Sequence, residues 1–531
     1  MGTTPCNTSP SLSSKPSISS FLPMLTSSPS PLITSLHKEL TSLLQPSPPY
    51  HSFPSRYKYI TSYSSSEEKL SQFTTLYNLF LSSNPQLTPT NLDKSLTLSL
   101  IAYKSTSNSN YQKLLLYNSL TSIRILLWEV STFTSNTTYS SFKKKQSTYM
   151  KLYTTLLDTK LHTHHINNNI KEQITKDISR TFFDYEAQSS TSIQKLYNVL
   201  LVFSIFDKQL GYCQGINFIT KYLLELTSYN EQLTFWLLIY ICDNIRGFFL
   251  DEFPLLITYL TYFDMLFKQC LPKLHSHFHS LDIPNEVWAG KYIQTLFTMC
   301  TSYDVLCKIF DGLFAFGFEF IVFIILSIVD VFSEDLMKFT ENSDVIEFLK
   351  EVLMPSCQME VLDKKGKGDV VDVNVILRKA KKLYKGLFRK DKFEEVKRKV
   401  CEERGFSVDE VGNNYYERNN KENDYYVCSL GGYSTYEESH GVRRGSLSDI
   451  GSLKGDEKVF VVERNDKSRN RNNEMQIKNN NNSNKCMMST YRDMTVSDEF
   501  PNEYDNNNSN NYINGRQFHI LHLKRPNINN N

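Results

Sequence analysis

The sequence lacks the features that mark several common protein classes. Its 531 residues include 19 glycines, 18 prolines and 3 tryptophans, and its formal net charge is only +2. Such a balanced charge gives no reason to expect nucleic acid as a partner. The ten cysteines form no C-x-x-C pair, and the sequence contains no Walker A loop, no G-x-S-x-G elbow and no zinc-ligand spacing. We therefore expect no nucleotide pocket, no serine nucleophile and no metal site.

The sequence also lacks a hydrophobic run long enough to span a bilayer. Glu319 and Asp330 interrupt the apolar stretch Leu313–Phe332, and its charge-free part, 320–329, is about half a span. We expect a buried helix there. The N-terminus lacks the basic and apolar regions of a secretory signal, and cysteines in apolar surroundings, such as Cys213, are typical of reduced thiols. These features favour a cytoplasmic protein, with peripheral attachment to endomembranes left open.

Aromatic and polar residues are distributed unevenly along the chain. The 34 Phe and 31 Tyr residues concentrate between about residues 110 and 350, whereas Ser, Thr and Pro dominate one end and Asn the other. Apolar residues recur at helical intervals and no alternating strand pattern competes, so the predicted fold class is all-α. The predicted segments are a disordered Ser/Thr/Pro-rich stretch (1–55), accessory helices (56–113), a multi-helix domain (114–350), an amphipathic basic helical extension (351–404) and a disordered Asn-rich tail (405–531).

Two polar clusters inside the aromatic region carry the main functional signal. Asp177 and Arg180 lie three residues apart within Ile174–Thr181, hence on one face of a helix. Gln214 follows about thirty residues later, bracketed by glycines at the start of a helix predicted over Gly211–Leu226. In isolation, such an acid–base pair is most often a surface salt bridge. Arginine and glutamine are, however, the two side chains that GTP hydrolysis needs, one to neutralise phosphoryl charge and one to orient the attacking water.

Further motifs accompany these two clusters in a fixed order. They are Arg124-x-x-x-Trp128, Ile174-x-x-Asp177-x-x-Arg180-Thr181, Gly211-Tyr212-Cys213-Gln214-Gly215-Ile216-Asn217-Phe218, Phe235-Trp236 with Asp243, Leu271-Pro272-x-Leu274-x-x-His277, Thr295-Leu296-Phe297, and Asp311 with Phe314. Over about residues 115–345 this series resembles the TBC domain, the family of GTPase-activating proteins for Rab GTPases. The resemblance implies an all-α, multi-helix Rab-GAP domain with disordered N- and C-terminal flanks.

The resemblance also implies roles for individual residues. Arg180 would be an arginine finger, and Gln214 would orient the water in place of the GTPase's own glutamine, around GTP and Mg²⁺ held by the partner. A finger supplied in trans is worth about 10³–10⁵ in rate, or roughly 4–7 kcal/mol of barrier. Asp177 would hold the guanidinium by hydrogen bonds, with Tyr212 and Thr181 in support. The structural residues of the motifs would be Ile174, Arg124, Trp128, Gly211 and Gly215.

The resulting prediction is a GTPase-activating protein with no catalysis and no cofactor of its own, whose partner is a Rab-family GTPase in the GTP form. One alternative is a non-catalytic helical scaffold that binds a small GTPase or another trafficking partner. Another is a lipid-surface adaptor that uses the basic helix near 375–400, although the interspersed acids there favour a solvated face.

Two smaller patterns have simpler interpretations. The histidine clusters at 275–279 and 162–165 lack a fourth ligand and the usual helical spacing of metal sites, so we interpret both as clusters favoured by a helix C-terminus. Ser446 follows Arg443-Arg444-Gly445, a pattern that resembles a basophilic kinase site.

Overall fold

Helices make up most of the part of the chain that the computed structural model describes, namely residues 30–43, 59–62, 66–83, 92–133, 137–162, 168–181, 190–353, 370–411 and 416. The predicted all-α class is confirmed. The described residues also contain one pair of short parallel strands, β1 (Tyr59–Thr61) and β2 (Val370–Asp372). Ser446 and most of both predicted flanks lie outside the described residues.

Four helices precede the aromatic region: α1 (Pro31–Leu43), α2 (Ser66–Ser83), α3 (Leu92–Thr106) and α4 (Asn108–Leu116). The first of them lies inside the Ser/Thr/Pro-rich segment that is predicted to be disordered, at a stretch, Ile33–Leu44, where the sequence also allows a short helix. Ile33 and Leu36 are buried on one face of α1, and the Glu39 carboxylate accepts hydrogen bonds from the backbone amides of Thr121 and Ser122, both at 2.9 Å. One buried turn and one capping carboxylate thus hold a helix within a segment whose overall composition favours disorder.

The aromatic region forms the helices α5 (Arg124–Ser131), α6 (Tyr139–His162), α7 (Asn168–Thr181), α8 (Ser190–Phe206), α9 (Ile216–Leu226), α10 (Glu231–Ile245), α11 (Pro254–Cys270), α12 (Pro272–Ser280), α13 (Asn285–Gln294), α14 (Tyr303–Phe316), α15 (Phe320–Val331), α16 (Ser333–Leu336) and α17 (Asn342–Leu353). Helices α11 and α12 each begin with a proline, where the missing N–H costs nothing. Every residue from Phe320 to Val329 in α15 is buried. None of the helices described is both long and apolar enough to cross a bilayer.

The core of this region is organised around Trp128. Its ring stacks on Phe314 at 4.5 Å between centroids, and its Nε1 donates to Asp311 Oδ1 at 2.9 Å. Arg124 Nε lies 3.1 Å from the same oxygen, and Asp311 is fully buried. One carboxylate therefore joins α5 to α14 and satisfies two buried donors at once.

The basic extension is two helices, α18 (Val373–Leu387) and α19 (Lys390–Glu403), rather than the single helix predicted near 375–400. The backbone at Phe388 is extended, with φ −63° and ψ 125°, and this separates the two helices. Tyr384 of α18 donates to the carbonyl of Phe316 at 3.0 Å, and Phe393 of α19 packs edge-on against Tyr259 of α11. The extension is thus part of the folded core.

Folded structure continues past residue 404, where the Asn-rich tail was predicted to begin. A one-turn helix, α20 (Val408–Val411), follows, and both Val411 and Tyr416 are buried. The predicted boundary is wrong because these two side chains pack against distant residues of the aromatic region, and no local periodicity reports such contacts.

Candidate functional site

Helix α7 carries the predicted arginine at its C-terminal end. Ile174 and Ile178, four residues apart, are buried and fix the inward face of the helix. Lys176 is exposed, and Arg180 is partly exposed in the last turn, where a cation interacts favourably with the helix dipole. The guanidinium is therefore within reach of a partner.

The predicted glutamine lies in a loop and not in a helix. Gly211 and Gly215 have φ angles of +63° and +112°, which a side chain strongly disfavours, so helix α9 begins only at Ile216. The helix predicted over Gly211–Leu226 is thus five residues too long at its start. Gln214 is exposed at this turn.

The first contact between helix and loop joins Asp177 and Tyr212. The Tyr212 hydroxyl donates to Asp177 Oδ2 at 2.9 Å, and Asp177 is buried. Burial raises the pKa of Asp177, while the Tyr212 hydroxyl and the charges of Arg180 and Lys176 oppose the rise. Burial and the adjacent carboxylate raise the pKa of Tyr212 well above its usual value, so its hydroxyl remains a donor.

The predicted role of Asp177 in holding the arginine is corrected by this contact. No hydrogen bond or ion pair joins Asp177 to Arg180 among the residues that the structure describes. The carboxylate points inward, toward a hydroxyl from the loop, whereas Arg180 lies nearer the surface. Asp177 is therefore hydrogen-bonded to the glutamine loop and not to the guanidinium.

The second contact runs through Asn217, which is 1% exposed. Its Nδ2 donates to Thr181 Oγ1 at 2.8 Å, and its Oδ1 accepts from the Gly215 amide at 2.9 Å. Thr181 Oγ1 in turn donates to the backbone carbonyl of Asp177 at 2.6 Å. We refer to Asp177, Thr181, Tyr212, Gly215 and Asn217 as the clamp.

Each predicted finger is a sequence neighbour of a clamp residue. Along the chain, Arg180 precedes Thr181 directly, and Gln214 precedes Gly215 directly. Because the loop is fastened to α7 on both sides of Gln214, a cationic side chain and an amide side chain are presented by two segments held rigidly together. Sequence reasoning quoted Asn217 within a motif but gave it no role. Its place two residues after a glycine at a helix start was the available signal.

A buried ion pair lies behind the loop. Arg246 Nε and Nη2 contact the two carboxylate oxygens of Asp207 at 2.9 and 3.0 Å. Asp207 Oδ1 also accepts from the Leu210 amide at 3.0 Å, and its backbone carbonyl accepts from the Gly211 amide at 2.7 Å. Sequence reasoning missed this pair, because 39 residues separate the partners and no motif links them.

Cysteine and histidine residues near these elements play no evident part in the clamp. Burial and the charges of Asp177 and Asp251 raise the pKa of Cys213 to about 12, so its thiol is protonated at neutral pH. His275 Nε2 lies 3.0 Å from Asp264 Oδ1. Within the described ranges, no three His, Cys, Asp or Glu side chains are grouped as a metal site would require. His164 and His165 lie outside these ranges.

Residues 121–337 match the family model of the Rab-GTPase-TBC domain. This part of the chain is therefore similar to that family. The chain is 30% identical over 260 residues to GTPase-activating protein GYP5 of Eremothecium gossypii, which covers 48% of this chain and 28% of that protein. It is 30% identical over 205 residues to GYP5 of Saccharomyces cerevisiae, covering 38% of this chain and 21% of that protein.

A human relative, growth hormone-regulated TBC protein 1, is 28% identical over 203 residues, covering 36% of this chain and 59% of that protein. The TBC match lies within the multi-helix domain that the sequence predicts. This chain spans less than a third of either GYP5 protein.

Proposed function

We propose that this chain is a GTPase-activating protein that stimulates GTP hydrolysis by a Rab-family GTPase in its GTP form. The observation that carries the proposal is the clamp, which fastens the Gln214 loop to the helix that ends with Arg180 while both side chains remain accessible. The TBC family match and the GTPase-activating relatives support it.

The proposed mechanism assigns one task to each finger. Arg180 neutralises charge that develops on the transferring phosphoryl group, and Gln214 orients the attacking water. GTP and Mg²⁺ are held by the partner, so the chain needs no cofactor and has no independent catalysis. The clamp contributes by holding the two fingers in place before the partner docks, which avoids an ordering cost during the reaction.

A single-turnover assay across a panel of GTP-loaded Rab GTPases tests this proposal. Arg180→Ala in the full chain should reduce stimulated hydrolysis at least about a hundredfold, because the developing charge loses its counter-ion. Lys176→Ala is the matched control, since Lys176 is an exposed cation on the same helix. It should retain the wild-type rate.

The same panel separates catalysis from scaffolding. A Rab that binds the wild-type chain in its GTP form, yet hydrolyses GTP at its unstimulated rate, would favour the non-catalytic scaffold. Full activity of Arg180→Ala toward the best partner would overturn the finger assignment.

We further propose that the chain acts in the cytoplasm with peripheral contact to membranes, which the exposed side of α18 favours. Arg378, Lys382 and Lys385 are exposed at helical spacing, whereas Lys379 is paired with Asp330 at 2.6 Å. Three cations that form no ion pair with another described residue lie on one stripe, and such a stripe suits anionic headgroups. Charge reversal of the three should abolish sedimentation with phosphatidylserine vesicles, and unchanged sedimentation would rule out this surface.

A further inference from the structure

The C-terminal end of the described chain contacts the ion pair behind the glutamine loop. Tyr416 donates its hydroxyl to Asp207 Oδ2 at 2.8 Å, and the carbonyl of Glu410 accepts from Arg246 Nη1 at 3.2 Å. These two contacts join residues that lie 164 and 209 positions apart in the sequence, and they share one hydrogen-bond network with the residues that lead into the loop. We refer to Glu410, Val411 and Tyr416 as the buttress.

The buttress fits closely against the domain. Tyr416 is 4% exposed, its ring lies 5.0 Å from that of Phe206, and its amide donates to Asp243 Oδ1 at 2.9 Å. A Cβ added at Gly247 would come within 2.5 Å of Val411 Cγ1. Val411 can approach the backbone this closely only because Gly247 has no side chain. The segment that contains Val411 is therefore closely packed against the domain.

Asp207 connects the Tyr416 contact to the loop that carries Gln214. Helix α8 ends at Phe206, and Asp207 is the next residue. Its carboxylate and carbonyl accept from the amides of Leu210 and Gly211, which form the entry to the loop. The same carboxylate that receives the Tyr416 hydroxyl therefore fixes the direction in which the chain approaches Gln214.

We propose that Tyr416 is a positioning residue for Gln214, acting through Asp207 and the turn that leads into the loop. This inference rests on the proposed GTPase-activating function. Buried charged networks hold a unique geometry only when every member is satisfied. Loss of the Tyr416 hydroxyl therefore loosens the turn without touching either finger.

Steady-state kinetics with the full chain and the best Rab partner provide the test. Tyr416→Phe removes only the hydroxyl and should lower kcat about fivefold with an unchanged KM, because misplacement of a finger costs rate rather than binding. Tyr384→Phe is the matched control, since Tyr384 also donates one hydrogen bond, to the Phe316 carbonyl, away from the loop. It should leave kcat unchanged.

A cycle with Gln214→Ala separates positioning from a general structural effect. If Tyr416 acts through Gln214, Tyr416→Phe should cause no further loss of kcat in the Gln214→Ala chain. An equal fivefold loss in both backgrounds, or no loss in the wild-type background while Arg180→Ala remains inactive, would overturn the inference and leave the proposed function intact.

Hydrogen exchange tests the inference independently of activity. The Leu210 and Gly211 amides should exchange faster in Tyr416→Phe than in Tyr384→Phe, and equal rates would overturn the inference even if no Rab responds to the wild-type chain. Should Tyr416→Phe fail to fold, Ser407→Ala takes its place. Ser407 and Glu410 cap α20 reciprocally at 3.2 and 3.0 Å on an exposed turn, so this variant loosens the buttress alone.

Discussion

Two arginines from neighbouring motifs occupy opposite environments. The Arg124 side chain is buried and paired with the fully buried Asp311, whereas Arg180 is partly exposed and forms no ion pair with another residue that the structure describes. Removing Arg124 would take the ion-pair partner from the buried Asp311 carboxylate and leave it only the Trp128 hydrogen bond and the charge of Lys308, whereas removing Arg180 would break no ion pair among the described residues. The comparison teaches that burial of the partner, rather than the motif, separates an arginine that stabilises the fold from one available for chemistry.

Stability measurements should separate the two arginines most strongly. Arg124→Ala should lower the free energy of unfolding by about 3–5 kcal/mol, because Asp311 remains buried without its ion-pair partner. Arg180→Ala should change it by less than about 0.5 kcal/mol. Urea unfolding of both variants checks this contrast, and equal stability of the two would remove it.

Replacement of Gln214 should lower the rate and leave stability nearly unchanged, as for Arg180 and unlike Arg124. Gln214→Ala should reduce stimulated hydrolysis about a hundredfold, since the attacking water loses its orienting group, with little change in stability. Gln194→Ala is a suitable control, because Gln194 is exposed on α8 and bonds there with Asn198. Comparable loss in both variants, measured under single-turnover conditions, would contradict a specific role for Gln214.

Replacement of Tyr212 should affect both stability and rate, because its hydroxyl bonds to the buried Asp177 carboxylate and its loop carries the exposed Gln214. Tyr212→Phe should cost about 1–2 kcal/mol of stability and roughly tenfold in rate. Its hydroxyl lowers the pKa of Asp177 against the effect of burial, so its loss should raise that pKa further. The rate of the variant should therefore begin to fall at a higher pH than that of the wild type as the solution is acidified. Superimposable pH–rate profiles would argue against this coupling.

Cys213 should give the smallest effect, although it directly precedes Gln214. With a pKa of about 12, its thiolate at pH 8 is about a thousandfold scarcer than that of an ordinary cysteine. Brief treatment with iodoacetamide should therefore leave Cys213 unmodified and activity unchanged, as mass spectrometry and the hydrolysis assay can report. Rapid alkylation of Cys213 would show that its surroundings are more polar than described.

Sequence periodicity was sufficient to predict the helices whose position depends mainly on their own residues. Helical periodicity predicted the buried helix α15 and the apolar run of α8, because burial of one face or of all faces leaves a direct trace in the sequence. The glycines around Gln214 were recognised, but their positive φ angles, which end any helix there, require the turn geometry itself.

Contacts between distant segments could not be predicted in this way. Asp177 was assigned to Arg180, its neighbour in sequence, whereas the structure pairs it with Tyr212, 35 residues away. The Tyr416–Asp207 contact spans 209 residues and begins in a segment whose composition predicts disorder. A few contacts of Glu410, Val411 and Tyr416 hold this segment in the fold, and no periodic pattern accompanies them.

A double-variant cycle of Arg180→Ala and Gln214→Ala tests the central claim most directly. If the clamp makes the two fingers act as a unit on the partner's GTP, the double variant should lose about as much single-turnover rate as the more damaging single variant. Losses that multiply would indicate two independent groups, and single variants that hydrolyse at the wild-type rate would contradict the account.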